Sequence, residues 1–123
     1  MSAVRDLEAD AGPFVEGLKT AMGDAAPLPV PWDSVKERYR TGSIDLRCVG
    51  MACALVAHSW IHGYKVTTIF AMTGDLSDCP ALVNMIEEEA RAVGSSRIAW
   101  IGRRGWLRHF PEYQQSAIGV KEL

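Results

Sequence analysis

The sequence predicts a mixed α/β domain: a central, mostly antiparallel sheet flanked by helices, with a helical extension at the N-terminus. Three observations carry this expectation. Residues 43–72 hold three strand-type runs in succession, the second and third joined through His62-Gly63. A long amphipathic helix follows, with Leu82, Met85, Ile86, Ala90 and Val93 on one apolar stripe and Asn84, Glu87, Glu88 and Arg91 facing away. Beyond it "SRIAWI" is again strand-type, and a helix between strands is expected to pack on the sheet.

Each element has its own local warrant. "VRDLEADAGPFVEGLKTAMGD" is helical in tone and interrupted at Gly12-Pro13, where Pro13 suits the first turn of a new helix. Phe14, Leu18 and Met22 then share one face. "AAPLPVPW" carries prolines at alternate positions, which blocks helix and ladder alike and favours an extended strap. A short helix is expected over Asp33 to Arg40, ended by Gly42. Ile44, Leu46 and Cys48 alternate with Ser43, Asp45 and Arg47, as in a half-buried strand. "MACALVAHSW" is apolar on both faces and "YKVTTIFAM" is rich in β-branched and aromatic residues, so both read as central strands. Asp78 or Ser77 can cap the long helix, and Gly94 stands where a left-handed C′ residue belongs. "GWLRHF" reads as a short helix halted by Pro111, and "SAIGVKEL" as a closing strand. The expected division is 1–31, helix and proline-rich strap, and 32–123, the α/β domain.

Bulk properties narrow the function classes. At 123 residues, 48% hydrophobic and 23% charged, the chain suits one globular domain. A formal charge of −2 argues against attraction of the whole protein to nucleic acid or membrane. Locally the balance is uneven: no acid lies between Glu89 and Glu112, where Arg91, Arg97, Arg103, Arg104 and Arg108 fall, while Asp6, Glu8, Asp10, Glu16 and Asp24 make the N-terminal part acidic. Cys48, Cys53 and Cys79 are an odd set without a CxxC pair, so they are expected to be buried small hydrophobes in a reducing compartment, forming neither a disulfide framework nor a metal site. "MSAVRDLEAD" lacks a basic segment followed by an apolar run, so no secretory signal is expected. "VGMACALVAHSWI" contains His58 and is too short to span a bilayer.

The order of elements and the residues Ala90, Ala92-Val93-Gly94, Arg97 to Ile101, Gly102-Arg103-Arg104-Gly105-Trp106, Phe110 and Tyr113 carry a resemblance. From about Trp32 to Leu123 the chain resembles the GNAT superfamily of N-acetyltransferase folds, and within it the small GNAT-like proteins encoded by tailed phages and prophages. The resemblance implies a phage origin and a place in the virion, assembled in the cytoplasm of a bacterial host. It also implies where chemistry would sit. Active members hold the pyrophosphate of acetyl-CoA on a Q/R-x-x-G-x-G/A loop between a central strand and the following helix, where backbone N–H groups and the helix N-terminus meet the phosphates. Here that place reads "MTGDLSDCPAL": Gly74 is the only glycine, Pro80 donates no N–H, and Asp75 and Asp78 bring negative charge. The family's general-acid tyrosine has no counterpart between Arg103 and Glu112. For a general base, only His58 and Asp45 stand on the central strands, without an evident partner.

Several side chains keep two readings. Arg103 and Arg104, with Arg108, are either a solvated turn or forks for an acidic partner, and one of them can pair with Glu87, Glu88 or Glu89 of the same molecule. Gly102 and Gly105 read as turn residues and Trp106 as the residue fastening a short helix inward, or as an exposed anchor. Trp32, after the prolines, either meets another surface or folds back on its own domain, and Trp60 is equally ambiguous. His58 reads as a satisfied core histidine or a ligand; His62 and His109 read as surface residues. The expected function is a catalytically silent GNAT-like virion or assembly component that needs no cofactor and contacts other head or tail proteins or itself. The alternatives are a divergent acetyl-CoA-dependent N-acetyltransferase and a DNA-contacting virion protein using Arg97, Arg103, Arg104 and Arg108.

Overall fold

The structure, a computed structural model, describes residues 4–23, 30–101, 110, 112 and 113. Asp6 opens the first helix, α1 (Leu7–Ala11), its carboxylate accepting the N–H groups of Glu8 and Ala9. At Gly12-Pro13 the chain tightens into one 3₁₀ turn, Gly12–Phe14, and continues as α2 (Val15–Met22). The strap expected after Met22 falls mostly on residues 24–29, outside the described residues. Trp32 is not part of an extended segment: Pro31 stands at the N-cap and Trp32 begins α3 (Trp32–Thr41).

Three antiparallel runs follow, β1 (Asp45–Val49), β2 (Ala52–Ile61) and β3 (Tyr64–Gly74). His62 and Gly63 both take positive φ, 50° and 82°, closing Ile61 onto Tyr64 in the two-residue turn whose twist suits a hairpin. Leu55 pairs with Ala71 and Val56 with Ile69, so Phe70 is the extra residue of a bulge in β3. Then α4 (Cys79–Ala92) carries the chain back, and β4 (Arg97–Trp100) runs parallel to β3, from Val66↔Arg97 to Ile69↔Trp100. A parallel neighbour requires such a crossover. The sheet order is β1-β2-β3-β4, a mixed sheet.

The two faces are covered differently. Leu7, Leu18, Met22, Val35 and Tyr39 from the first three helices pack on Ile44, Cys53, Leu55 and Ala71. Cys79, Leu82, Val83 and Ile86 of α4 pack with Ala54, Val56, Ile69 and Met72 on the opposite face. The N-terminal segment is therefore one of the covering layers, and the boundary expected at residue 31 falls between elements of one core. Three side chains depart from the sequence reading. Cys48 is exposed on β1, at the sheet edge of the described residues. Val93 is exposed, while Val83 is buried in its place, because α4 turns its Cys79–Leu82–Val83–Ile86–Ala90 face to the sheet. Gly94 occupies the left-handed position after α4, φ 83°, with Ser95 N–H bonded to Ala90 O at 2.8 Å. The helix expected at "GWLRHF" and the strand at "SAIGVKEL" lie outside the described residues, except that Phe110 is buried in the α4 face.

Candidate functional site

The first candidate is the β3–α4 connection, "GDLSDC". Gly74 sits at φ 115°, and a Cβ there would run into the Met51 carbonyl. Glycine is thus required by the close approach of the β1–β2 turn. The same carbonyl accepts Asp75 N–H at 2.7 Å. Neither Asp78 nor Ser77 caps α4 with its side chain. Asp78 stands at the N-cap position but its carboxylate reaches across to Met51 N–H, 2.8 Å. Asp75 accepts both the backbone N–H and the hydroxyl of Ser77, at 3.0 and 2.9 Å, and these bonds hold its carboxyl below the usual carboxylate range. Asp78 N–H bonds back to Asp75 O at 3.1 Å. The N–H groups of Asp75, Ser77 and Asp78 are therefore engaged within the protein, and the two carboxylates of the connection are bonded to Ser77 and to Met51.

A second candidate is a polar row between α4 and the sheet, on β1, β2, β3 and the exit of α4. Arg47 holds Glu89 through both carboxylate oxygens, Nε–Oε2 2.9 Å and Nη2–Oε1 2.5 Å. His58 Nε2 lies 3.7 Å from Glu89 Oε1, buried and without a hydrogen-bond partner. On its other side His58 Nδ1 meets Thr67 Oγ1 at 2.6 Å, and Thr67 Oγ1 meets Ser95 Oγ at 2.8 Å. One proton arrangement serves the whole row: Ser95 donates to Thr67, Thr67 donates to Nδ1, and Nε2–H faces Glu89. Arg47 is the main reason the Glu89 carboxyl is held low. Thr67 is fully buried, whereas the side chains of His58, Glu89 and Arg47 are partly exposed, so solvent meets the row on its Arg47–Glu89 side.

The other sequence candidates are scattered. Asp45 has partners after all: it accepts from Arg5 at 2.5 Å and lies 3.8 Å from Arg47. Trp32 is half-buried against the first core, its indole N–H donating to Glu8 at 3.0 Å with Lys19 5.7 Å from the ring centroid. Trp32 therefore folds back on its own domain. Arg97 stacks over Tyr64 at 5.3 Å. Gly102, Arg103, Arg104, Gly105, Trp106 and Arg108 lie outside the described residues. Trp100 packs with Phe110 and Tyr113, ring centroids 5.2 and 5.6 Å away. Burial pushes the Tyr113 hydroxyl up to about 12. At the β2–β3 tip Trp60, Ile61 and Tyr64 are 73%, 46% and 54% exposed, a larger apolar display than a hairpin turn requires.

The row was missed because its members come from four separate stretches; the only sequence signal was a histidine in an otherwise apolar strand. Among the described residues no group of three or more His, Cys, Asp or Glu could hold a metal ion, and no helix is long and apolar enough to cross a membrane.

Fold and site together define a mixed α/β domain in which the described residues form a four-stranded sheet between helical layers. That architecture is shared with TTHA1254 from Thermus thermophilus. A mutant form superposes with a TM-score of 0.59 at 19% identity, over 89% of this chain and 91% of that one. The wild-type form gives 0.51 at 20% identity, over 89% and 87%. At such identity the likeness speaks for the fold alone. No family model matches the chain, and no curated protein matches it.

Proposed function

We propose that this chain is a GNAT-like protein without acetyl-transfer chemistry, acting through protein–protein contacts as a component or assembly partner of a tailed-phage particle. The observation that carries the reading is the closed β3–α4 connection. Three of its backbone donors are bonded internally, and Asp78 is committed to Met51, so a pyrophosphate would meet carboxylates where it needs N–H groups. The phage and virion part rests on the resemblance of residues 90–113. The exposed Trp60, Ile61 and Tyr64 add a surface suited to a partner. The test has two arms: calorimetric titration with acetyl-CoA to about 1 mM, and detection of the chain in purified particles. No heat together with incorporation supports the proposal. Binding in the micromolar range, or a monomer absent from particles, overturns it.

A second reading, a divergent acetyl-CoA-dependent N-acetyltransferase, is favoured by one observation, the His58–Glu89–Arg47 row. A histidine beside a carboxylate is the pairing a general base uses, and under this reading His58 takes a proton on Nδ1 once Thr67 turns its hydroxyl away. Under this reading His58→Ala abolishes acetyl transfer while acetyl-CoA binding remains.

A further inference from the structure

Cys48 and Cys53 face each other directly across β1 and β2, with their sulfurs 3.2 Å apart. The strands are joined by only Gly50 and Met51, and Val49 pairs with Ala52. A two-residue connection makes that closing pair the hydrogen-bonded kind, so the next pair, Cys48–Cys53, is of the non-hydrogen-bonded kind, in which Cα atoms come to about 4.5 Å. That separation lies within the range a disulfide spans. The two thiols are unequal. Cys48 is exposed, whereas Cys53 is fully buried in the first core. A thiol open to reagents is thus backed by one that only its neighbour can reach. The third cysteine, Cys79, is buried against α4 on the opposite face and takes no part.

We infer that Cys48 and Cys53 form a reversible redox site that closes to a cross-strand disulfide by exchange with a low-molecular-weight disulfide. In the first step the Cys48 thiolate attacks one sulfur of the reagent RSSR, forming a Cys48–SR mixed disulfide and releasing RS⁻. In the second step Cys53 loses its proton and attacks Cys48 Sγ. The Cys48–Cys53 bond forms, the Cys48–SR bond breaks, and the second RS⁻ leaves. The two protons lost by the cysteines end on the two released thiolates. The protein is oxidised by two electrons and RSSR is reduced to two RSH. Burial raises the Cys53 thiol, so the second step quickens with pH, while the 3.2 Å separation of the sulfurs favours it over release of a stable adduct. In reducing surroundings such a bond is transient, as in intracellular redox sensing. The inference is independent of the phage reading.

The test incubates the full chain with excess oxidised glutathione, quenches with acid, and alkylates and maps the peptides. Cys48 and Cys53 share the tryptic peptide 48–65, and Cys79 lies in 66–91. The expected result is a 48–65 peptide lighter by two hydrogens that resists alkylation, free thiols falling from three to one, and full recovery with dithiothreitol. Cys48→Ser, a change at an exposed position, should leave Cys53 reduced and alkylatable after unfolding. A glutathione adduct that persists on Cys48, an unchanged 48–65 peptide, or Cys53 lost equally fast in Cys48→Ser would each overturn the inference.

Discussion

Replacing Arg47 by methionine and Glu89 by glutamine, singly and together, isolates the pair that ties α4 to β1. Their side chains are 28% and 27% exposed, and the guanidinium engages both carboxylate oxygens. Opposite charges about 3 Å apart attract by roughly 5 kcal/mol at an effective dielectric near 20. The partial burial of both ions costs hydration that cancels much of that, and solvent at their exposed parts screens more. A coupling energy of about 1–2 kcal/mol should survive. Each single change should cost more, about 2–3 kcal/mol, because it leaves a partly buried charge without its two-bond mate, only Asp45 at 3.8 Å remaining near Arg47 and His58 at 3.7 Å near Glu89. Urea unfolding at neutral pH reads these as shifts of midpoint at constant m. The pH dependence supplies an independent check. Arg47's hydrogen bonds depress the Glu89 carboxyl below its ordinary 4.5. A depressed carboxyl contributes stability that is complete above the unfolded value and lost as pH falls through the folded one. The gap between wild type and Glu89→Gln should hold steady from neutrality to about pH 5 and shrink below that. A coupling under about 0.5 kcal/mol, or a gap that does not narrow in acid, would refute the assignment of this pair as the tie between α4 and the sheet.

Other perturbations test the remaining joints. Ile86→Ala empties a fully buried position between α4 and the sheet and should cost about 2–5 kcal/mol in denaturant midpoint. Gly74→Ala must place a side chain at φ 115° against the Met51 carbonyl, and a loss above about 2 kcal/mol is expected on thermal melting; a neutral result would show that the turn is not clamped. Tyr39→Phe removes the 2.6 Å bond to Asp10 and should lower stability by about 1 kcal/mol at neutral pH. Burial, helped by Asp10, raises the Tyr39 hydroxyl to about 12, so the wild type should lose stability from about pH 10 to 12 and the variant should lack that part of the decline.

The acidic N-terminal residues show how far composition alone can mislead. In the sequence Asp6, Glu8 and Asp10 read only as an acidic lean of a helical stretch, with no partners assigned. In the fold each one is engaged. Asp6 caps α1, Glu8 meets Trp32 and Lys36, and Asp10 takes the Tyr39 hydroxyl. Arg5 joins them by reaching Tyr39 O, Ile44 O and Asp45 and stacking on the Tyr39 ring at 4.4 Å. Asp78 is the converse case. Its position before a helix marks it as a cap, yet a backbone N–H from another hairpin competes successfully for its carboxylate.

Among the described residues the sequence by itself determined the kinds of element, their order and most of their buried faces. Periodicity is local, and a run such as 52–57 or Leu82 and Ile86 can be buried in one way only. It also determined the breaks, through Gly12-Pro13, Gly42, His62-Gly63 and Gly94, whose backbone requirements are intrinsic. Only the tertiary structure decided what meets what. Arg47 and Glu89 are 42 residues apart, His58 and Thr67 meet because of a hairpin register, and Cys48 faces Cys53 because that register places them opposite. The physical reason is that a polar contact depends on two side chains arriving within about 3 Å, and that distance is set by packing between elements, which local propensity does not encode.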